Sequence, residues 1–279
     1  MKKVALALGG GGARGLAHLK FLEFFDQNNI PVSRISGTSI GAVIGALYAS
    51  GKSSMLIQDD LHNHVVLKDD RKRDFVKKIS RLVVWLSKFR FDLKETRTVY
   101  PHKFLEFLLK DVEARTFEEL QIPLCIIATD FWTGEEVVID SGPLLPAIMA
   151  SMAIPGIFKP VKHQGRILVD GSLSNCVPYT HLLEGEEVSI AMDVAPDRQS
   201  GGQNMPKFFD ASQGMFELLI DKLAQQQLER CQPDIYIRPG IRKVKIMEFD
   251  KIDSVYEQAE AVIPELKNQC TLKGFSLPQ

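Results

Sequence analysis

The chain has 279 residues, 45% of them hydrophobic and 25% charged, which supplies a sizeable core and excludes a disordered chain. Its 34 Lys and Arg stand against 35 Asp and Glu, a net charge of -1, which excludes a protein whose main role is to coat nucleic acid. No apolar run reaches the ~18 residues of a membrane span, the run after Lys3 stops at glycines too soon for a signal peptide, and the 4 cysteines stand far apart, so a cytoplasmic protein without a disulfide scaffold or structural zinc is expected.

Strand-like and helix-like segments alternate from end to end without an internal repeat, which favours a layered α/β fold. Residues 4–8 form a short apolar run that stops at glycine, and the helical pattern after it sets Leu16, Leu19, Leu22 and Phe25 on one side. An extended stretch at 32–35 leads into Gly37-Thr38-Ser39-Ile40-Gly41, and residues 42–50 then read as a compact helix closed by Gly51. Residues 52–110, mostly helical in pattern, fit a central sheet least and are expected to form a cap inserted beside it. Within that cap, residues 69–91 carry eight basic side chains against three acids. At helical spacing Phe75, Ile79, Leu82, Leu86 and Phe89 share a face roughly opposite Arg73, Lys77, Arg81 and Lys88. Such a helix either rests on an anionic membrane or packs on the domain with its basic face solvated.

Residues 122–129 and 136–139 read as strands joined through Thr133-Gly134, and 144–153 as a helix. Further strands are expected at 166–169, 188–194 and 234–237, and helices at 214–231 and 253–268. One three-layer α/β/α domain over residues 1–279, with a mainly parallel central sheet and the helical, basic cap at about 52–110, accommodates all of them.

The chemistry-bearing residues lie between these elements. Gly37 to Gly41 match G-x-S-x-G, in which small residues on either side of the serine permit the cramped strand-to-helix turn that exposes its hydroxyl. Ser39 is thus a candidate nucleophile, and the bland alternative is a helix cap in a glycine-rich turn. Directly after the first strand, Gly9-Gly10-Gly11-Gly12-Ala13-Arg14-Gly15 also spells G-x-G-x-x-G. A dinucleotide site would need an acid near the end of the second strand, where Arg34-Ile35-Ser36 stands instead, and a P-loop would need a G-K-[ST] ending. Consecutive glycine N–H groups can instead form an oxyanion hole for an intermediate at Ser39, a reading that uses both motifs. Asp170, closing the apolar run 167–169 ahead of Gly171, is the stronger candidate base, because a desolvated carboxylate has a raised pKa. His181 is the best histidine for a triad, while His18, His62 and His64 read as packing or surface residues. Arg14 reads as an internal ion-pair partner rather than as an anion site.

With these residues in view, the sequence resembles the patatin-like phospholipase family, in particular short bacterial members similar to the neuropathy target esterase catalytic domain. The resemblance rests on Gly10 to Gly15, Gly37 to Gly41, Asp170-Gly171-Ser172 and the stretch Ala150 to Phe158, and runs from Val4 to about Ile237. It implies a three-layer patatin-like fold and a serine hydrolase that cleaves acyl esters of lysophospholipids or phospholipids. Ser39 and Asp170 would form a Ser-Asp dyad working through an acyl-enzyme, and Gly10, Gly11 and Gly12 the oxyanion hole. No cofactor, metal or nucleic acid is implied; the partners would be a lipid ester and, peripherally, an anionic membrane. Ser172 departs from the usual glycine or alanine of the family, and its hydroxyl is expected to lower the pKa of Asp170. A catalytically weak lipid-binding module of the same fold is the alternative.

Overall fold

The computed structural model describes residues 2–65, 90–91, 99–100, 114–185, 187–197, 205 and 208–277. Most of the expected basic helix at 69–91, with the face formed by Phe75, Ile79, Leu82, Leu86 and Phe89, lies outside the described residues.

Among the described residues ten strands occur in chain order: β1 (Val4–Leu8), β2 (Val32–Thr38), β3 (Arg90–Phe91), β4 (Val99–Tyr100), β5 (Leu124–Asp130), β6 (Glu136–Ile139), β7 (Val161–His163), β8 (Arg166–Asp170), β9 (Val188–Met192) and β10 (Ile235–Ile237). The helices are α1 (His18–Gln27), α2 (Ile40–Ala49), α3 (Ser54–Val65), α4 (Leu144–Ser151), α5 (Phe208–Arg230), α6 (Ile252–Glu260) and α7 (Ile263–Leu272). Among the described residues β3 and β4 pair only with each other, and the other eight strands form the central sheet.

β10, β9, β1, β2 and β5 run parallel, while β6, β8 and β7 join in antiparallel sense, so the sheet is mainly parallel as expected. All five side chains of β1 are buried, the mark of a strand covered on both faces. Alternation divides them: Val4, Leu6 and Leu8 join the large core cluster with α1, α2, α6 and α7, whereas Ala5 and Ala7 face Val177, Tyr179, Leu182 and α5. The alanines leave room for a tight covering layer on that second face. On the first, Leu16, Leu19, Leu22 and Phe25 are fully buried, each contributing about 1.5–3 kcal/mol by its removal from water. α3 also buries Ile57 and Leu61 in this core, so the first described turns of the expected cap belong to the core layer.

The register of β5 positions the site. β2 pairs with Leu124 to Ile127 and β8 with Ala128 to Asp130, while β6 overlaps both spans along Ile126 to Thr129. A strand has two edges, so β6 takes one, and β2 and β8 share the other, meeting head on. Asp170 therefore reaches the site at the end of an antiparallel strand, beside the end of β2. Among the described residues no helix is long and apolar enough to cross a membrane.

Candidate active site

Ser39 occupies the turn between β2 and α2 with φ 54 and ψ -121, a left-handed conformation that a non-glycine residue adopts only under constraint. The flanking glycines make that turn possible. A Cβ on Gly41 would lie 2.0 Å from the Leu8 carbonyl oxygen, and one on Gly37 would lie 2.8 Å from the Ala42 Cα. The N–H of Ser39 donates to Ser151 Oγ at 2.8 Å, and its hydroxyl donates to Asp170 Oδ2 at 2.7 Å. Ser39 thus sits at the N-terminus of the ten-residue α2, where the helix dipole favours developing negative charge.

Asp170 is 1% exposed, and its second carboxylate oxygen accepts the Ser172 N–H at 2.8 Å. Burial pushes its carboxyl up to about 6, while hydrogen bonds from Ser39 and from both the N–H and hydroxyl of Ser172 pull the other way. The Ser172 hydroxyl therefore acts in the direction the sequence suggests.

The glycine loop lies beside this pair. Gly10 packs so close that a Cβ there would sit 2.3 Å from Ser172 Oγ and 3.4 Å from Ser39 Cβ. One expected oxyanion donor needs correction: the Gly10 N–H already donates to the Cys176 carbonyl at 2.9 Å. Gly11 and Gly12 N–H groups make no hydrogen bond among the described residues and both line the pocket. Gly12 has φ +57, and a Cβ there would meet the Ile246 carbonyl oxygen at 2.2 Å, so only glycine fits this bend.

His18 bonds to the start of the loop, and Arg14, two residues beyond its last glycine donor, is itself anchored. Fully buried, His18 donates through Nε2 to the Gly9 carbonyl at 2.8 Å, and burial lowers its pKa to about 4. Its packing role accords with the sequence reading, but the bond to the loop has no sequence signal. Arg14, 3% exposed, pairs with Glu217 of α5 at 3.0 Å and donates to the carbonyls of Val194 and Val244. It is the internal ion-pair partner that the sequence suggests.

Ser39, Asp170, Gly11 and Gly12 line a pocket walled by Ile154, Phe216, Ile220 and Ile246. His181 is not among the lining residues; its Nε2 pairs with Glu136 on β6. Among the described residues no group of three or more His, Cys, Asp or Glu could hold a metal ion. The buried Cys176 also lines the pocket, its thiol pushed up to about 12 and hence protonated. Sequence reasoning missed Ser151, whose hydroxyl caps the Ser39 N–H; the only hint was its place in the stretch Ala150 to Phe158.

A family model for patatin-like phospholipases matches residues 6–183. The chain belongs to this family. An NTE family protein of Mycobacterium tuberculosis, itself uncharacterized, is 30% identical over 207 residues, covering 70% of this chain and 53% of its own length. A patatin-like phospholipase domain-containing protein of Caenorhabditis elegans is 30% identical over 91% of this chain and 20% of its own. Lysophospholipase NTE1 of Scheffersomyces stipitis is 27% identical, again over 91% of this chain, and the match covers 17% of that protein. This patatin-like chain therefore spans about half the length of the mycobacterial relative and about a fifth or less of the other two.

Proposed function

We propose that the protein is a serine hydrolase cleaving acyl esters of lysophospholipids or phospholipids through a Ser39–Asp170 dyad and an acyl-enzyme. The observation that carries this reading is the 2.7 Å hydrogen bond from Ser39 Oγ to the buried Asp170 carboxylate, both of them lining an apolar pocket. Ser39 Oγ attacks the ester carbonyl carbon while its proton passes to Asp170 Oδ2. The carbonyl oxygen gains negative charge and is met by the Gly11 and Gly12 N–H groups, backbone donors that need no reorganisation. Collapse of the tetrahedral intermediate expels the alcohol, which takes the proton back from Asp170. Water then gives a proton to Asp170 and attacks the Ser39 acyl ester, and as the second intermediate collapses Asp170 returns that proton to the departing Ser39 Oγ, releasing the fatty acid and restoring the dyad. Ile154, Phe216, Ile220 and Ile246 offer an apolar wall to the acyl chain.

The test is release of fatty acid from lysophosphatidylcholine by the wild-type chain and by Ser39→Ala. Turnover that disappears in the variant supports the reading; equal turnover by both would sink it. A wild-type protein that binds the lipid without releasing fatty acid would favour the lipid-binding module instead.

A further inference from the structure

The stretch Ala150 to Phe158 was singled out in the sequence only by resemblance, and the dyad chemistry above gives it no part. Its geometry is specific. α4 ends at Ser151, whose side chain is fully buried and bonded in two directions. Ser151 Oγ accepts the Ser39 N–H at 2.8 Å and donates its own proton to the Ile127 carbonyl of β5. Two residues on, the Ala153 carbonyl accepts the Asp170 N–H at 3.0 Å. One short segment at the end of α4 therefore holds the backbones of both dyad members, Ser39 by a side chain and Asp170 by a carbonyl. Ile127 ties the same segment to the point where β2 and β8 meet, since it pairs with Thr38 and its carbonyl oxygen would lie 2.2 Å from a Cβ on Gly171.

We propose that Ser151 is a positioning residue for ester hydrolysis, holding the strained Ser39 backbone so that its hydroxyl meets Asp170 Oδ2. This rests on the reading of Ser39 and Asp170 as the dyad. The Ser39 conformation, φ 54 and ψ -121, is not self-supporting, and a buried N–H in such a turn must find an acceptor. Without the Ser151 hydroxyl the turn relaxes, the Ser39–Asp170 bond lengthens, and Asp170 loses one of the hydrogen bonds that hold its pKa down. The groups facing Asp170 are Ser39, Ser172 and the neutral Cys176 thiol, with the Arg14–Glu217 pair lining the same pocket.

The experiment compares the wild-type chain with Ser151→Ala and Ser151→Thr, measuring thermal stability, ester turnover per site titrated with a fluorophosphonate, and the Asp170 carboxyl titration by 13C NMR. In Ser151→Ala we expect kcat on a soluble ester to fall by about 10- to 100-fold with KM within about threefold of wild type. The Asp170 midpoint should move up by about half a pH unit or more. Ser151→Thr, which keeps the hydroxyl, should recover most of both. A merely structural role predicts something different: Ser151→Ala melts earlier, yet its kcat per titrated site and its Asp170 midpoint stay at the wild-type values, and that result overturns the proposal. The NMR titration needs no turnover. A chain without esterase activity would fail the dyad reading alone, whereas an Asp170 midpoint unmoved by Ser151→Ala fails the positioning role. Should Ser151→Thr not fold, Ser151→Cys, whose sulfur is a weaker acceptor for the Ser39 N–H, is expected to fall between wild type and Ser151→Ala in both readouts.

Discussion

The Asp170 carboxylate carries two opposed demands. In its proposed role as base it must be ionised, and with its pKa raised to about 6 it would accept a proton from Ser39 more readily than an exposed aspartate. The kcat/KM of the wild type should therefore fall about tenfold per pH unit below about 6 and level off above it. Ser172→Gly removes a hydroxyl that favours the ionised form, so its acidic limb should lie at higher pH; an unchanged or lower limb would count against that role. The same shift weakens the fold at neutral pH. The folded pKa lies above the unfolded value of 3.8, so folding favours the protonated acid, and the associated stability is present at low pH and lost as pH rises through about 6. Asp170→Asn, which cannot ionise, should be inactive yet more stable than wild type at pH 8 by up to about 3 kcal/mol, an advantage that shrinks toward pH 4. Denaturant unfolding at both pH values checks it; an Asn variant less stable at pH 8 would mean that burial of the charge carries no such cost.

The elements around the site are held by contacts that allow little exchange. α2 crosses β1 so closely that Gly41→Ala would drive its Cβ into the Leu8 carbonyl. We expect it to lose about 1–3 kcal/mol of stability and most of the activity, while Ser39→Ala loses activity alone. Thermal melts of the two variants separate these outcomes. Much of the element pattern was legible: β1, β2, α2, α4 and β9 fall within a few residues of their sequence expectation, because apolar runs bounded by glycine or proline fix them locally. The helix expected at 214–231 starts earlier, at Phe208, since Gly214 lies inside it rather than at its start. The helix expected at 253–268 breaks into α6 and α7, and Pro264 in the first turn of α7 was the overlooked signal.

At the scale of the molecule, the layered, mainly parallel architecture was legible from alternation of strand and helix. The head-on meeting of β2 and β8 was not, because pairing sense and register depend on partners far apart in the chain. For the same reason Ser39, Asp170 and the glycine loop could be named from their motifs, whereas the bonds made by Ser151, by His18 to the Gly9 carbonyl and by the Gly10 N–H to the Cys176 carbonyl could not: they exist only once distant segments pack together. The charge of the whole chain is polarised, with residues 69–91 holding eight basic groups against three acids within a net charge of -1. Each basic group near an anionic bilayer contributes about 1 kcal/mol at low ionic strength, so binding to anionic liposomes should weaken as salt rises and on replacing Lys77, Lys78 and Arg81 with Glu. Salt-insensitive partition, equal for both proteins and for neutral and anionic liposomes, would contradict it.

The central claim, that Ser39 is activated by Asp170 without a histidine, is tested most directly by the rate at which a fluorophosphonate labels the protein, with the labelled residue located by mass spectrometry. Labelling at Ser39 is expected in the wild type, to be absent in Ser39→Ala, to slow by at least about 100-fold in Asp170→Asn, and to stay within about twofold of wild type in His181→Ala. A His181→Ala variant that labels as slowly as Asp170→Asn, or an Asp170→Asn variant that labels at the wild-type rate, would contradict the dyad.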